Sequence, residues 1–146
     1  MSLYFDDLTP GLRFTSRPVT MSADEIIGFA RAYDPQPFHT DPEAAADGFF
    51  AGLAASGWHT AATTMRLMVE SVPIAGGLIG ASVEISWTRP VRPGDELVAV
   101  SEVLELMPSR SKPERGMAVV RTETRDRSGQ AVQVIICKMV VPRRPV

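Results

Sequence analysis

The chain has 146 residues, about one domain's length and enough to bury a single sizeable core, and its 45% hydrophobic and 22% charged residues are ordinary for a soluble globular protein. A net charge of −2 and a pI of about 5.7 argue against electrostatic binding of nucleic acid, and the longest apolar run, Phe49 to Ala55, is far short of the roughly 20 residues of a membrane helix. One cysteine excludes an internal disulfide, and with only two histidines, His39 and His59, the inventory excludes a His/Cys zinc cluster; no metal site is expected.

In chain order, Met1 to Asp7 lacks the basic and apolar segments of a secretory signal, so a cytoplasmic location is expected. Residues 12–20 predict a short strand weakened by Pro18. Ser22-Ala-Asp-Glu25 has the spacing of a capping box, and the apolar residues from Ile26 to Tyr33 recur at near-helical intervals, predicting a helix over 22–33. Pro35 stops it, because the residue before a proline is disfavoured in helical geometry. Residues 34–55 read as irregular, with one helical turn through Ala44–Ala46. Ser56 to Val72 is the clearest helix, and Trp58, Ala61, Ala62, Met65, Met68, Val69 and Val72 predict one buried stripe.

After Gly80 the period changes to two. Ala81, Val83, Ile85 and Trp87 alternate with polar residues as in a half-buried strand. Leu97–Leu106, Gly116–Thr124 and Ala131–Val141 predict three further strands, the last apolar on both faces and therefore interior. Helices first and antiparallel strands after them predict one α+β domain over 1–146, with helices segregated to one face. The sheet keeps free edges, which commonly pair with a second copy.

The segment that carries chemistry is Tyr33-Asp34-Pro35-Gln36-Pro37-Phe38-His39-Thr40-Asp41-Pro42. It sets a carboxylate and an imidazole five residues apart, and its prolines stiffen the backbone away from helix, so that both side chains can converge on one volume. A carboxylate and a neutral histidine sharing one water form a general acid–base pair. Burial by Phe38, Phe49 and Phe50 is expected to raise the aspartate pKa toward neutral. The bland alternative is a capping Asp34 and a core His39.

The string Asp34-Pro-Gln-Pro-Phe-His39-Thr-Asp41-Pro-Glu-Ala-Ala resembles the motif of the MaoC-like dehydratases, the R-specific enoyl-CoA hydratase branch of the hot-dog fold. The resemblance continues in Ala55-Ser56-Gly57-Trp58 and in Arg89-Pro-Val-Arg-Pro-Gly-Asp95-Glu-Leu, and spans residues 5–141. It implies an antiparallel sheet wrapped around a long central helix. It also implies a hydro-lyase that adds water to a trans-2-enoyl-CoA or removes it from a 3-hydroxyacyl-CoA. Asp34 and His39 would activate the water, and the Gly57 N–H, at the positive end of the long helix, would hydrogen-bond the thioester carbonyl. A glycine there lets substrate approach the backbone.

Around these three, Gln36, Phe38, Ser56, Trp58 and His59 are expected in the substrate site. Gln36 departs from the family's asparagine, and Thr63, Thr64 and Met65 stand where some members carry a serine. Arg110 and Lys112, in a basic loop between strands, are expected to attract the phosphates of coenzyme A, which enters as part of the substrate and is the only cofactor anticipated. Cys137 reads as inert core. The expected assembly is a homodimer or a dimer of dimers. A hot-dog acyl-CoA thioesterase is the nearer rival, and a non-catalytic acyl-CoA-binding domain the next.

Overall fold

The computed structural model describes residues 1–146. A single turn of 3-10 helix over Phe5–Asp7 precedes two short strands, β1 (Arg13–Thr15) and β2 (Val19–Thr20). Four helices follow: α1 (Ala23–Tyr33), α2 (Pro37–Thr40), α3 (Pro42–Ala46) and α4 (Gly57–Ser71). Four long strands close the chain: β3 (Ile79–Trp87), β4 (Glu96–Pro108), β5 (Arg115–Arg125) and β6 (Ala131–Pro142).

Local chemistry accounts for these boundaries. The Ser22 side chain accepts from Glu25 N–H and donates to the Glu25 carboxylate at 2.8 Å, so the first turn of α1 begins with its donors satisfied. Ser56 caps α4 by accepting from Trp58 N–H. The strand expected over 12–20 is divided in two: it runs on along β4, pairing first with Val100–Glu102 and then with Glu96–Leu97, and Arg17-Pro18 interrupts the ladder with a one-residue shift of register.

The strands form one antiparallel sheet in the order β1-β4-β5-β6-β3, with β2 also on β4. β5 and β6 are interior, and β3 is an edge. The sheet's concave face wraps α4. At one end, Met68 and Val72 of α4 pack with Val103, Val120, Cys137, Met139 and Val141. At the other, Met21, Ile26, Leu53, Val91, Leu97 and Val132 form a second cluster beneath α1. Each buried aliphatic side chain of this kind stabilises by about 1.5–3 kcal/mol relative to exposure. Between the clusters lies a polar layer, in which Ser101 bonds Thr122 at 2.8 Å and Thr64 bonds Thr124 at 2.6 Å.

Two faces differ from expectation. The stripe of α4 that turns inward is Thr60, Thr64, Leu67 and Met68, whereas Trp58, Met65 and Val69 are exposed. Short threonines let the helix sit close to the polar layer, which rotates the larger apolar residues outward. β3 is exposed along nearly its whole length, with only Ile85 half-buried, because α4 meets this edge only at its first turn, where Gly57 and Trp58 touch Trp87.

Candidate active site

Three successive caps shape the segment after α1. Asp34 takes φ −150° and ψ 65°, ending the helix while its N–H still bonds Ala30 C=O. Pro37 then starts a new helical turn at its first position, where a proline loses no hydrogen bond. His39 therefore stands on a one-turn helix, not on the non-helical turn that the prolines suggest. Asp41 caps the next turn by accepting from Glu43 and Ala44 N–H.

This path brings His39 Nε2 to 3.3 Å from Asp34 Oδ2. The imidazole is buried, and its Nδ1 lies 2.6 Å from Ala54 C=O. A carbonyl only accepts, so Nδ1 carries a proton, and Nε2 is the ring nitrogen turned toward Asp34. The other carboxylate oxygen accepts from Gln36 Nε2 at 2.5 Å. Burial pushes the Asp34 carboxyl up, but hydrogen bonds from Gln36 and Ser56 and the nearby His39 outweigh it, and its pKa lies below the ordinary value. This corrects the expectation of a raised aspartate: desolvation acts as anticipated, and donors from both sides overcome it.

Asp34 and His39 line a cavity of about 410 Å³ together with Gly57, Phe49, Phe50, Trp58, Trp87, Arg89 and neighbouring backbone. The Gly57 N–H, at the first position of α4, has no acceptor within the chain, as is usual for the first N–H groups of a helix. Glycine is required here by a neighbour. A Cβ on residue 57 would meet the Trp87 indole at 2.5–2.9 Å.

Of the residues expected at the site, Asp34, His39, Gly57 and Trp58 share the cavity. Gln36, Phe38 and Ser56 stand behind its wall: Gln36 and Ser56 on Asp34, and Phe38 edge-on to the His39 ring. His59 points away and stacks on Phe29 of α1 with ring centroids 4.7 Å apart, because two residues on from Gly57 is a different face of the helix. Arg110 and Lys112 lie in the β4–β5 hairpin, beyond Pro108. The cavity-lining Val132 is level with the opposite end of β4, roughly 30 Å away along the strand.

Sequence reasoning passed over Trp87 as a strand residue and left Arg89 undecided between site and surface; both line the cavity. Arg92, left undecided in the same way, serves the cavity's loop instead: its guanidinium donates to Phe50 C=O and, at 3.3 Å, to Leu53 C=O. The residue signal for Trp87 was the alternation of β3, which set it inward, level with the start of α4.

Comparison with known proteins agrees with this architecture. The family model for the MaoC like domain matches residues 9–125. The crystal structure of a MaoC-like dehydratase from Rhodospirillum rubrum superposes with a TM-score of 0.97 at 49% identity, covering 99% of this chain and 100% of that one. The uncharacterized protein YdeM of Bacillus subtilis is 35% identical over 109 residues, 73% of this chain and 77% of its own length. A 3-hydroxybutyryl-CoA dehydratase of Methylorubrum extorquens is 32% identical over 111 residues, 75% of this chain and 69% of its own. With an antiparallel sheet wrapped around α4 and a match over most of its length, the chain has the hot-dog fold and belongs to the MaoC-like dehydratase family.

Proposed function

We propose that the protein is a hydro-lyase that reversibly hydrates a trans-2-enoyl-CoA to a 3-hydroxyacyl-CoA. The observation that carries this reading is the pair of polar atoms, Asp34 Oδ2 and His39 Nε2, set 3.3 Å apart in the wall of the cavity that also holds the Gly57 end of α4. A water between them donates one hydrogen to each and turns an oxygen lone pair outward to the β-carbon of the enoyl group. As the C–O bond forms, the dyad takes up one water proton, and electrons move from the double bond toward the thioester carbonyl. The Gly57 N–H meets the charge that develops there; a preorganised donor of this kind is worth roughly 3–4 kcal/mol. The proton is returned to the α-carbon, so one water is added and neither side chain ends with a changed charge. No cofactor is consumed. Arg89, the cation lining the cavity, is the candidate partner for a coenzyme A phosphate.

The relative from Methylorubrum extorquens supports a short acyl chain as the first substrate to try. We further propose that the working unit is a homodimer, supported by the free edge of β3 and its exposed apolar residues. The test is hydration of crotonyl-CoA, followed as loss of the conjugated-enone absorbance. Wild type should turn over, and Asp34→Asn and His39→Ala should each lose about 10²–10⁴-fold in kcat. Unchanged rates in both variants would refute the dyad. Release of free thiol in place of hydration would point to a thioesterase, and tight binding without turnover to a carrier.

A further inference from the structure

Trp87 sits where three strands and the start of α4 meet. Trp87 on β3 and Gln133 on β6 are directly paired, and Gln133 is in turn paired with Thr124 on β5. Cross-strand partners project from the same face of a sheet, so the three side chains form one row beneath the helix. The indole N–H is shared between two acceptors, Gly57 C=O at 3.0 Å and Gln133 Oε1 at 2.9 Å. The Gln133 amide nitrogen donates to Thr64 at 3.0 Å and to Thr124 at 3.4 Å, and those two hydroxyls bond each other. Gln133, Thr64 and Thr124 are wholly buried.

A buried polar row is a costly choice for a core unless every group is satisfied. Here each member bonds the next, and the row ends on the indole that lies flat against Gly57. The first turn of a helix tends to fray, yet residue 57 is held on both sides of its N–H: the indole bonds its C=O and lies against its Cα, and Ser56 C=O, in the same peptide plane as the Gly57 N–H, accepts from His59 and Thr60 N–H. We propose that Trp87 is a positioning residue for the thioester carbonyl: its indole fixes residue 57 at its Cα and C=O, and with them the rotation that aims the adjoining N–H, and Gln133 with its two threonines fixes the indole. The inference rests on the reading of the Gly57 N–H as the carbonyl donor. It also assigns the glycine a reason, because any side chain at 57 would displace the ring that aims the N–H.

Trp87→Phe keeps a flat apolar ring and removes only the N–H. With crotonyl-CoA its kcat should fall roughly ten- to a hundredfold while KM changes less than about threefold, since a displacement of about 1 Å in a positioned group costs on that order. Gln133→Met should act in the same direction with the indole still present, and the double variant should be no slower than the slower single one. A merely structural role is separated by a spectroscopic readout. Butyryl-CoA labelled with ¹³C at the carbonyl cannot be hydrated, and its infrared C=O stretch should move to lower frequency on binding wild type and less so on binding either variant. Variants that lose thermal stability but keep wild-type kcat and carbonyl frequency would overturn the proposal, and one folded variant suffices. Wild type that neither hydrates crotonyl-CoA nor shifts the butyryl-CoA carbonyl would instead overturn the parent reading.

Discussion

His39 has a protein partner for each ring nitrogen, whereas His59 has none. The difference assigns them opposite roles although both are buried. Nδ1 of His59 is shut from solvent without an acceptor, and its ring lies parallel to Phe29. Burial depresses its pKa below 6.5, and Glu25 on α1 offsets this only in part. The sign of the consequence is fixed. Between 6.5 and the lower folded value the unfolded chain binds more protons than the folded one, so stability rises with pH through that window and is lost as pH falls. His59→Phe keeps the stacking and removes the titration. Thermal melts between pH 5 and 7.5 should show Tm falling with acid in wild type and nearly flat in the variant over this window. An unchanged slope would mean that His59 is not the group responsible. Asp34 acts in a lower window, since a depressed carboxyl stabilises the fold above its ordinary value of 3.8 and loses that below it.

At the scale of elements, the site depends on how the segment between α3 and α4 is held. Ala51 and Gly52 both have positive φ, at 52° and 141°, and the segment is anchored by Ala54 N–H to Phe38 C=O and Ala55 N–H to Val91 C=O. Arg92 fastens its middle by donating to two of its carbonyls, and the Arg92 N–H is itself tied to Asp95 at 2.8 Å. Because Ala54 C=O sets the tautomer of His39, Arg92 reaches the dyad through this loop. Arg92→Met preserves the aliphatic stem and removes the donors. It should cost about 2 kcal/mol, seen as a fall in Tm of roughly 4–8 °C, and should lower the hydration rate with the dyad intact. A melt within 1–2 °C of wild type would show the loop to be self-supporting.

The same elements show what could be read from the sequence. Long periodic segments with clear caps, α1 from Ser22 and α4 from Ser56, were legible because their signals are local. So were the four long strands. The proline-spaced Asp34 and His39 were legible as a pair for the same reason. The inward face of α4 was not, since size and hydrophobicity favoured Trp58 and Met65 over threonines whose partners, Thr124 and Gln133, come from strands 60 and more residues away. The position of Arg110 and Lys112 was not legible either, since strand length carries the basic hairpin to the far end of the sheet from the cavity.

At the scale of the molecule, the sheet has an open edge at β3. β3 ends the strand order, so a row of its backbone N–H and C=O groups has no partner. Its residues Val83 and Trp87 project to the same side as Cys137 and Gln133 of β6, which are buried, yet both are exposed. Trp58, Met65 and Val69 of α4 extend that apolar surface. Contiguous patches of this kind mark an interface, and in the proposed homodimer a second copy would supply both a strand to pair with β3 and a matching apolar face. Because Trp58 and Trp87 also line the cavity, the partner would close one side of the site. Sedimentation should give twice the 15.8 kDa chain mass. Val83→Lys places a charge in that interface on both copies. An unpaired buried charge costs about 3 kcal/mol or more, so the dimer Kd should rise at least about a hundredfold. Activity per chain should then fall on dilution in parallel with dimer content, while wild type at the same concentrations stays constant. A variant that remains dimeric, or a monomer that hydrates crotonyl-CoA at the wild-type rate, would show that the exposed face of β3 serves neither assembly nor catalysis.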